Sequence, residues 1–221
     1  IRQNDDYYTP ILDAPYEFNV YDTLDFIYNF RESIIKKLNK SITSSFNRTT
    51  NVIFYDVTNF FFEIEHPDAD SEIDGETVKG LRKNGVSKEE RKLPIVQMGL
   101  FMDEQGLPIS IEVFPGNTLD HLTMIDACKN TVDTLDLSRF IFVADRGMCS
   151  SPNLLHLLDN NNGYIISKSI KKCNINDKNW ILDENDYIKT SDDFKVKSRT
   201  IKYKVADPAN PKAKREIVEK Q

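Results

Sequence analysis

Val52-Ile53-Phe54-Tyr55-Asp56 is the stretch on which the fold turns: a short, continuous apolar run closed by a carboxylate. Such a run reads as a central strand buried on both faces. It places Asp56 at the inner end of that strand, and Phe60 to Ile64 extends or follows it. Downstream, an acidic and then basic loop (66–92) leads to two more strand-like runs, Ile95 to Met102 and Pro108 to Phe114. Asp103-Glu104-Gln105-Gly106 between them forms a turn, so the pair reads as a β-hairpin. In its second strand Ile109, Ile111 and Val113 alternate with Ser110 and Glu112, as a half-exposed strand does. Thr118 can cap a helix that carries Leu122, Ile125, Val132 and Leu135 along one side. Phe140 to Ala144 is a second continuous apolar strand, and it ends in Asp145-Arg146-Gly147. Ser151-Pro152 opens a helix with Ser as N-cap, Gly163 stops it, and Tyr164-Ile165-Ile166 makes one more strand. Upstream, Tyr21 to Ile42 has apolar residues at helical spacing (Phe26, Ile27, Phe30, Ile34, Leu38), with Asp22 or Thr23 as cap.

The order strand, hairpin, helix, strand, helix, strand predicts an α/β class with a mixed α+β sheet of the ribonuclease H-like fold. In that fold the first and fourth strands are parallel neighbours, so Asp56 and Asp145 should meet. Beyond Lys171 the pattern changes to short β-like pieces (Trp180 to Leu182, Phe194 to Val196, Thr200 to Val205), read as the start of a β-rich insertion. The expected organisation is an N-terminal helical segment (1–50), a catalytic core lacking its C-terminal helix (51–172) and the start of the insertion (173–221).

Composition is that of an ordinary globular protein: 39% hydrophobic and 29% charged residues. No apolar run is long enough to span a bilayer and the start has no signal-peptide character, so a cytoplasmic protein is expected. Cys128, Cys149 and Cys173 have no paired spacing and suggest neither disulfide nor zinc. The net charge of −6 is uneven: −8 over 1–80, −3 over 81–167 and +5 over 168–221. The basic end is the better place for a polyanion. The chain begins without Met and ends in a polar stretch with no stop signal, so both ends are expected to be cuts.

Two carboxylates at the tips of adjacent strands suit a divalent-metal phosphoryl-transfer site, because Mg2+ and Mn2+ prefer hard oxygen ligands. Three stretches set these carboxylates in context: Tyr55-Asp56-Val57-Thr58, Phe114-Pro115-Gly116-Asn117-Thr118-Leu119-Asp120 and Ala144-Asp145-Arg146-Gly147-Met148. Together they resemble bacterial insertion-sequence transposases of the DDE type with a β-strand insertion. Gly85-Val86-Ser87-Lys88, Arg91 and Leu93-Pro94 fit the same family, and the resemblance spans about residues 50–172.

The resemblance implies that Asp56 and Asp145 are the first two members of the catalytic triad and bind two Mg2+ or Mn2+ ions. Thr58 either supports Asp56 or is an ordinary strand residue. Asn117 and Asp120 order the loop or touch DNA, or the Asn-Thr-x-Asp stretch caps the helix. Arg146 binds a phosphate or pairs with a neighbouring carboxylate. Lys79, Arg82, Lys83, Lys88, Arg91 and Lys92 either approach the DNA backbone or form a solvated face. Trp180 stacks on an extruded base or packs in the small subdomain. His66, His121 and His156 show no ligand spacing. The family's catalytic Glu has no match here; neither Glu216 nor Glu219 is promoted, and the third ligand is expected beyond Gln221.

The function so implied is metal-dependent phosphodiester hydrolysis and strand transfer at transposon ends in the complete protein. Double-stranded DNA, both transposon end and target, is the partner, bound by a homodimer or higher assembly. The alternatives are a truncated, non-catalytic DNA-binding or inhibitory fragment, and an aspartate-nucleophile phosphatase. The phosphatase would need a second acid where this chain has Thr58. The chain by itself is expected to fold but not to cleave or join DNA.

Overall fold

The structure is a computed structural model and describes residues 17–73, 75–86, 93–191, 193–210 and 212–221. The chain forms two compact units, Ile1–Arg48 and Thr49–Gln221. The first contains α1 (Glu17–Asn29) and α2 (Arg31–Phe46). The single helix expected over 21–42 is therefore longer and interrupted, because Phe30 leaves helical geometry at φ −106°, ψ 10°. Asp22 and Thr23 fall inside α1 and do not begin it. Asn47, left-handed at φ 51°, ends α2.

The second unit opens with β1 (Val52–Phe61), followed by a small hairpin of β2 (Ser71–Ile73) and β3 (Glu76–Val78) inside the segment read as a loop. Next come β4 (Ile95–Met102), β5 (Pro108–Pro115), α3 (Asp120–Leu135) and β6 (Ile141–Ala144). A single 3-10 turn (Arg146–Met148), α4 (Ser151–Asp159) and β7 (Gly163–Ile166) complete the central layer. After these, α5 (Ile175–Leu182) precedes β8 (Ile188–Lys189), β9 (Lys195–Val196), β10 (Thr200–Ala206) and β11 (Lys214–Lys220).

The main sheet has five strands in the order β5-β4-β1-β6-β7. β4 is antiparallel to both its neighbours, whereas β1, β6 and β7 run parallel. This is the ribonuclease H-like fold. Ile53, Tyr55 and Val57 point from β1 into a core shared with Phe142 of β6, Met124 of α3 and Leu157 of α4. Tyr55 Oη lies 2.8 Å from Thr123 Oγ1, and Thr123 Oγ1 donates to the Asp120 carbonyl at 2.7 Å. Burial holds the Tyr55 phenol well above its usual pKa. A Cβ on Gly99 would come within 2.3 Å of that hydroxyl, so β4 carries a glycine where the Tyr55 ring crosses it.

Several expectations are corrected. β1 is buried on one face only: Phe54, Asp56 and Phe60 are exposed on the other. Asp56 is not at the strand's end either, since the strand runs on to Phe61. In β5 the polar Ser110 is buried while Ile111 and Val113 are 48% and 47% exposed. The register explains this, for Ser110 pairs with core residue Phe101 and Ile111 with Leu100 on the opposite face. Thr118 does not cap α3, whose N-cap position is Leu119 without a side-chain bond. Ser150, not Ser151, caps α4 through the Asn153 N–H. Asn161 at φ 58° supplies the left-handed residue after α4, leaving Gly163 to begin β7. Trp180 to Leu182 is helical, because Asn174 caps α5 by accepting from the Asp177 N–H while its amide donates to the Asp177 carboxylate. β10 and β11 pair with each other and pack Ile217 against Leu154 and Leu155 of α4.

The two faces of the sheet should respond differently to mutation. Phe142→Ala, at a residue with 0% exposure, should cost about 3–5 kcal/mol of unfolding free energy. Phe60→Ser, at 50% exposure, should change it by about 0.5 kcal/mol or less. Urea denaturation of both variants is the check, and comparable losses would contradict the one-sided core.

Candidate active site

β1 and β6 pair in parallel from Val52↔Ile141 to Tyr55↔Ala144. The next residues on the two strands are Asp56 and Asp145. Parallel strands lie about 4.8 Å apart, and paired residues point to the same face. Tyr55 faces the helices, so Asp56 stands on the open face. Asp145 continues the extended backbone at φ −74°, ψ 176°, which directs it to the same side as Val143 and Asp56.

The two carboxylates are held differently. Asp145 Oδ1 accepts from the Gly147 N–H at 2.8 Å, which fixes its rotamer at the head of the 3-10 turn. Asp56 has no hydrogen-bond or ion-pair partner among the described residues. This donor set, with oxygens left over on both residues, fits a hard divalent cation. Among the described residues no group of three or more His, Cys, Asp or Glu is placed to hold a metal ion, so the pair is not completed by a third such ligand there. Thr58 lies on the face of Asp56, two residues along β1.

Arg146 is exposed in the 3-10 turn, and among the described residues no carboxylate pairs with it. That turn packs on α3, where Asn153 Nδ2 bridges the Met148 and His121 carbonyls at 3.0 Å each. Asn117 is exposed just ahead of α3 and Asp120 is in its first turn. The two glycine-containing stretches of the resemblance also meet here. A Cβ on Gly85 would lie 1.8 Å from the Gly116 carbonyl oxygen, and one on Gly116 would lie 2.0 Å from that of Ile95. Only glycine permits this approach.

The basic loop is less free than its sequence suggests. Arg82 is bound to Asp68 at 2.6 Å and Lys83 to Asp70 at 2.6 Å. Their hydrogen bonds draw both carboxyls below the usual carboxylate range. Lys88, Arg91 and Lys92 lie outside the described residues. Toward the C-terminus, Lys197 and Arg199 stand 5.2 Å and 4.2 Å from the Trp180 ring centroid. Trp180 is thus packed between two cations in a small cluster, with Arg199 also paired to Asp177.

Gln97 is a buried polar residue that the sequence did not single out. It is 2% exposed, and among the described residues its Oε1 has no hydrogen-bond partner. The one available signal was a glutamine within the apolar run Ile95 to Met102. No helix among the described residues is long and apolar enough to cross a membrane.

Comparisons with known proteins leave the sequence without a match: no family model and no curated protein matches it. Among solved structures, the catalytic domain of Mos1 mariner transposase is similar over 63% of this chain and 59% of its own, at 13% identity and a TM-score of 0.35. The Mos1 transposase paired-end complex with the left transposon end is similar over 61% of this chain, at 16% identity and a TM-score of 0.35. This chain spans 40% of that transposase's chain. A piggyBac transposase synaptic complex with hairpin DNA is similar over 52% of this chain and 22% of its own, at 13% identity and a TM-score of 0.33.

The thiols report on this region. Burial pushes Cys128 up to about 12, whereas Cys149 is exposed four residues after Asp145. Cys173 is buried. Ellman's reagent at pH 8 should therefore modify one thiol in the native protein, and Cys149→Ser should remove that phase. A second, equally fast phase that Cys128→Ser removes would contradict the packing of α3.

Proposed function

We propose that this chain carries the catalytic core of a DDE-type DNA transposase. In the complete protein it would hydrolyse phosphodiester bonds at transposon ends and transfer the freed strands to target DNA. The observation that supports the reading is the β1–β6 register: Asp56 and Asp145 each follow its last pair, Tyr55↔Ala144, on neighbouring parallel strands of a ribonuclease H-like sheet. The motifs that resemble insertion-sequence transposases follow one another along this sheet in the family's order.

Asp56 and Asp145 would hold Mg2+ or Mn2+, two ions in the complete site. Bound there, the metal supplies activation of the attacking oxygen and stabilisation of the leaving oxygen. The Gly147 N–H keeps the Asp145 carboxylate aimed. Arg146, with no paired carboxylate, is available to a phosphate next to the pair. Double-stranded DNA would be the partner, bound by a homodimer or higher assembly, with Lys88, Arg91 and Asn117 as further contacts. Residues 173–221 would begin the family's β-strand insertion.

Two measurements test this reading. Mn2+ binding followed by electron paramagnetic resonance should show a site that weakens in Asp56→Asn and in Asp145→Asn. Each loss should exceed the roughly 10–100-fold that removing an outer-shell partner costs. Asp133→Asn, at an exposed position on α3, should bind as the native protein does. Unchanged Mn2+ affinity in both site variants would sink the catalytic assignment.

DNA affinity should fall steeply with salt. Replacing Lys88 and Arg91 together by Ala should lower the slope of log affinity against log salt by about 2, and Arg146→Ala by about 1. Salt-insensitive binding would count against a phosphate-led interface.

A further inference from the structure

The hairpin of β10 and β11 is a two-stranded ribbon whose two faces differ in kind. Along β10, Ile201, Tyr203 and Val205 alternate with Lys202 and Lys204. The apolar set turns inward: Ile217 of β11 is buried against Leu154 and Leu155 of α4, with Tyr203 and Val205 packed beside it. The alternate positions of both strands are thereby forced outward, and every one of them is exposed.

Register then sets one lysine at each exposed level of the ribbon. Lys220 stands opposite Thr200, Lys202 opposite Val218, Lys204 opposite Glu216 and Lys214 opposite Ala206. Successive levels are about 7 Å apart, so the four side chains leave a row about 20 Å long. We infer that this face docks on the phosphate backbone of duplex DNA. The inference rests on the nucleic-acid reading above and adds a contact surface to it. That surface is separate from the carboxylate pair, because the ribbon packs on α4, on the helix side of the main sheet, whereas Asp56 stands on the open face.

Charge complementarity names the occupant. Solvated faces ordinarily intersperse both signs. This one carries four lysines and one glutamate, within a chain whose net charge is −6. The arginines beside it are used by the fold: Arg215, opposite Val205 on the inner face, pairs with Asp159, and Arg199, ahead of β10, pairs with Asp177. Lysine is a flexible point charge, suited to phosphates and not to reading a base edge in two-point fashion. A two-stranded ribbon is also narrow enough to enter a major groove about 12 Å wide, with phosphates along its rims. An anionic membrane is the poorer occupant, since the outer face has no aromatic side chain to insert.

Fluorescence anisotropy of a labelled duplex of arbitrary sequence, followed across a salt series, tests the surface. Replacing Lys202 and Lys204 together by Gln should lower the slope of log affinity against log salt by about 2. Lys195→Gln removes a charge already paired with Glu184 and should leave the slope unchanged. All three positions are exposed, so the thermal midpoints should match the native protein's, and Mn2+ affinity should be unchanged in the double variant. A slope that survives the double replacement, or one lowered as much by Lys195→Gln as by Lys204→Gln alone, overturns the ribbon surface and leaves the nucleic-acid reading standing. A native chain that binds no duplex at any salt concentration overturns both. Phosphatidylserine vesicles that displace the duplex, and that the double variant no longer binds, assign the face to a membrane and overturn the proposal.

Discussion

Everything about this site follows from the two-residue period of β1. Burying Ile53, Tyr55 and Val57 against α3 and α4 leaves the alternate positions, Asp56 among them, no choice of face. A slip of one residue would bury the carboxylate and expose Tyr55, whose ring rests against Gly99 and whose hydroxyl meets Thr123 inside the core. The same hydrogen bond ties β1 to the first turn of α3 through the Asp120 carbonyl. The core therefore sets both the direction of Asp56 and the position of the helix beside which the glycine-containing stretches meet.

The contrast between β1 and β6 matters as much. β6 is only four residues long and stops at Ala144, opposite Tyr55, while β1 continues to Phe61. The break is where the chain turns into the 3-10 turn, and the Gly147 N–H closes back on Asp145. A longer β6 would bury the Asp145 backbone in a continued ladder. The short one leaves that residue at a corner with Arg146 directly after it. Asp56 sits within a ladder to β4 and gains its rigidity from that strand, whereas Asp145 gains it from a local turn.

The element order was legible in the sequence because continuous apolar runs at 52–55 and 140–144 and the Asp103–Gly106 turn are strong local signals. Which face of a strand is covered was not legible. Phe54 and Val57 are both apolar, and only the packing of α3 tells one from the other. The alternation of β5 misled for a related reason: Ile111 and Val113 are apolar yet lie outside, because pairing with β4 puts Ser110 opposite Phe101. Helix ends slipped by a few residues wherever two capping residues stood in a row, as at Ser150-Ser151. Gln97 escaped notice because a single amide in an apolar strand has no periodic signature.

The charge distribution also reads differently in three dimensions. By sequence, the basic residues before the hairpin and after 168 looked like the natural surface for a polyanion. In the structure Arg82, Lys83, Arg199 and Arg215 are engaged with Asp68, Asp70, Asp177 and Asp159. A cation already paired must exchange one anion for another, so it releases less free energy to a phosphate than an unpaired one. Arg146 is exposed beside Asp145 with no carboxylate partner among the described residues, and the same holds for Arg139, Lys171 and Lys172 elsewhere. Net charge thus says little about where an anion would bind; the cations that folding leaves without a carboxylate say more, and Arg146, next to Asp145, is one of them.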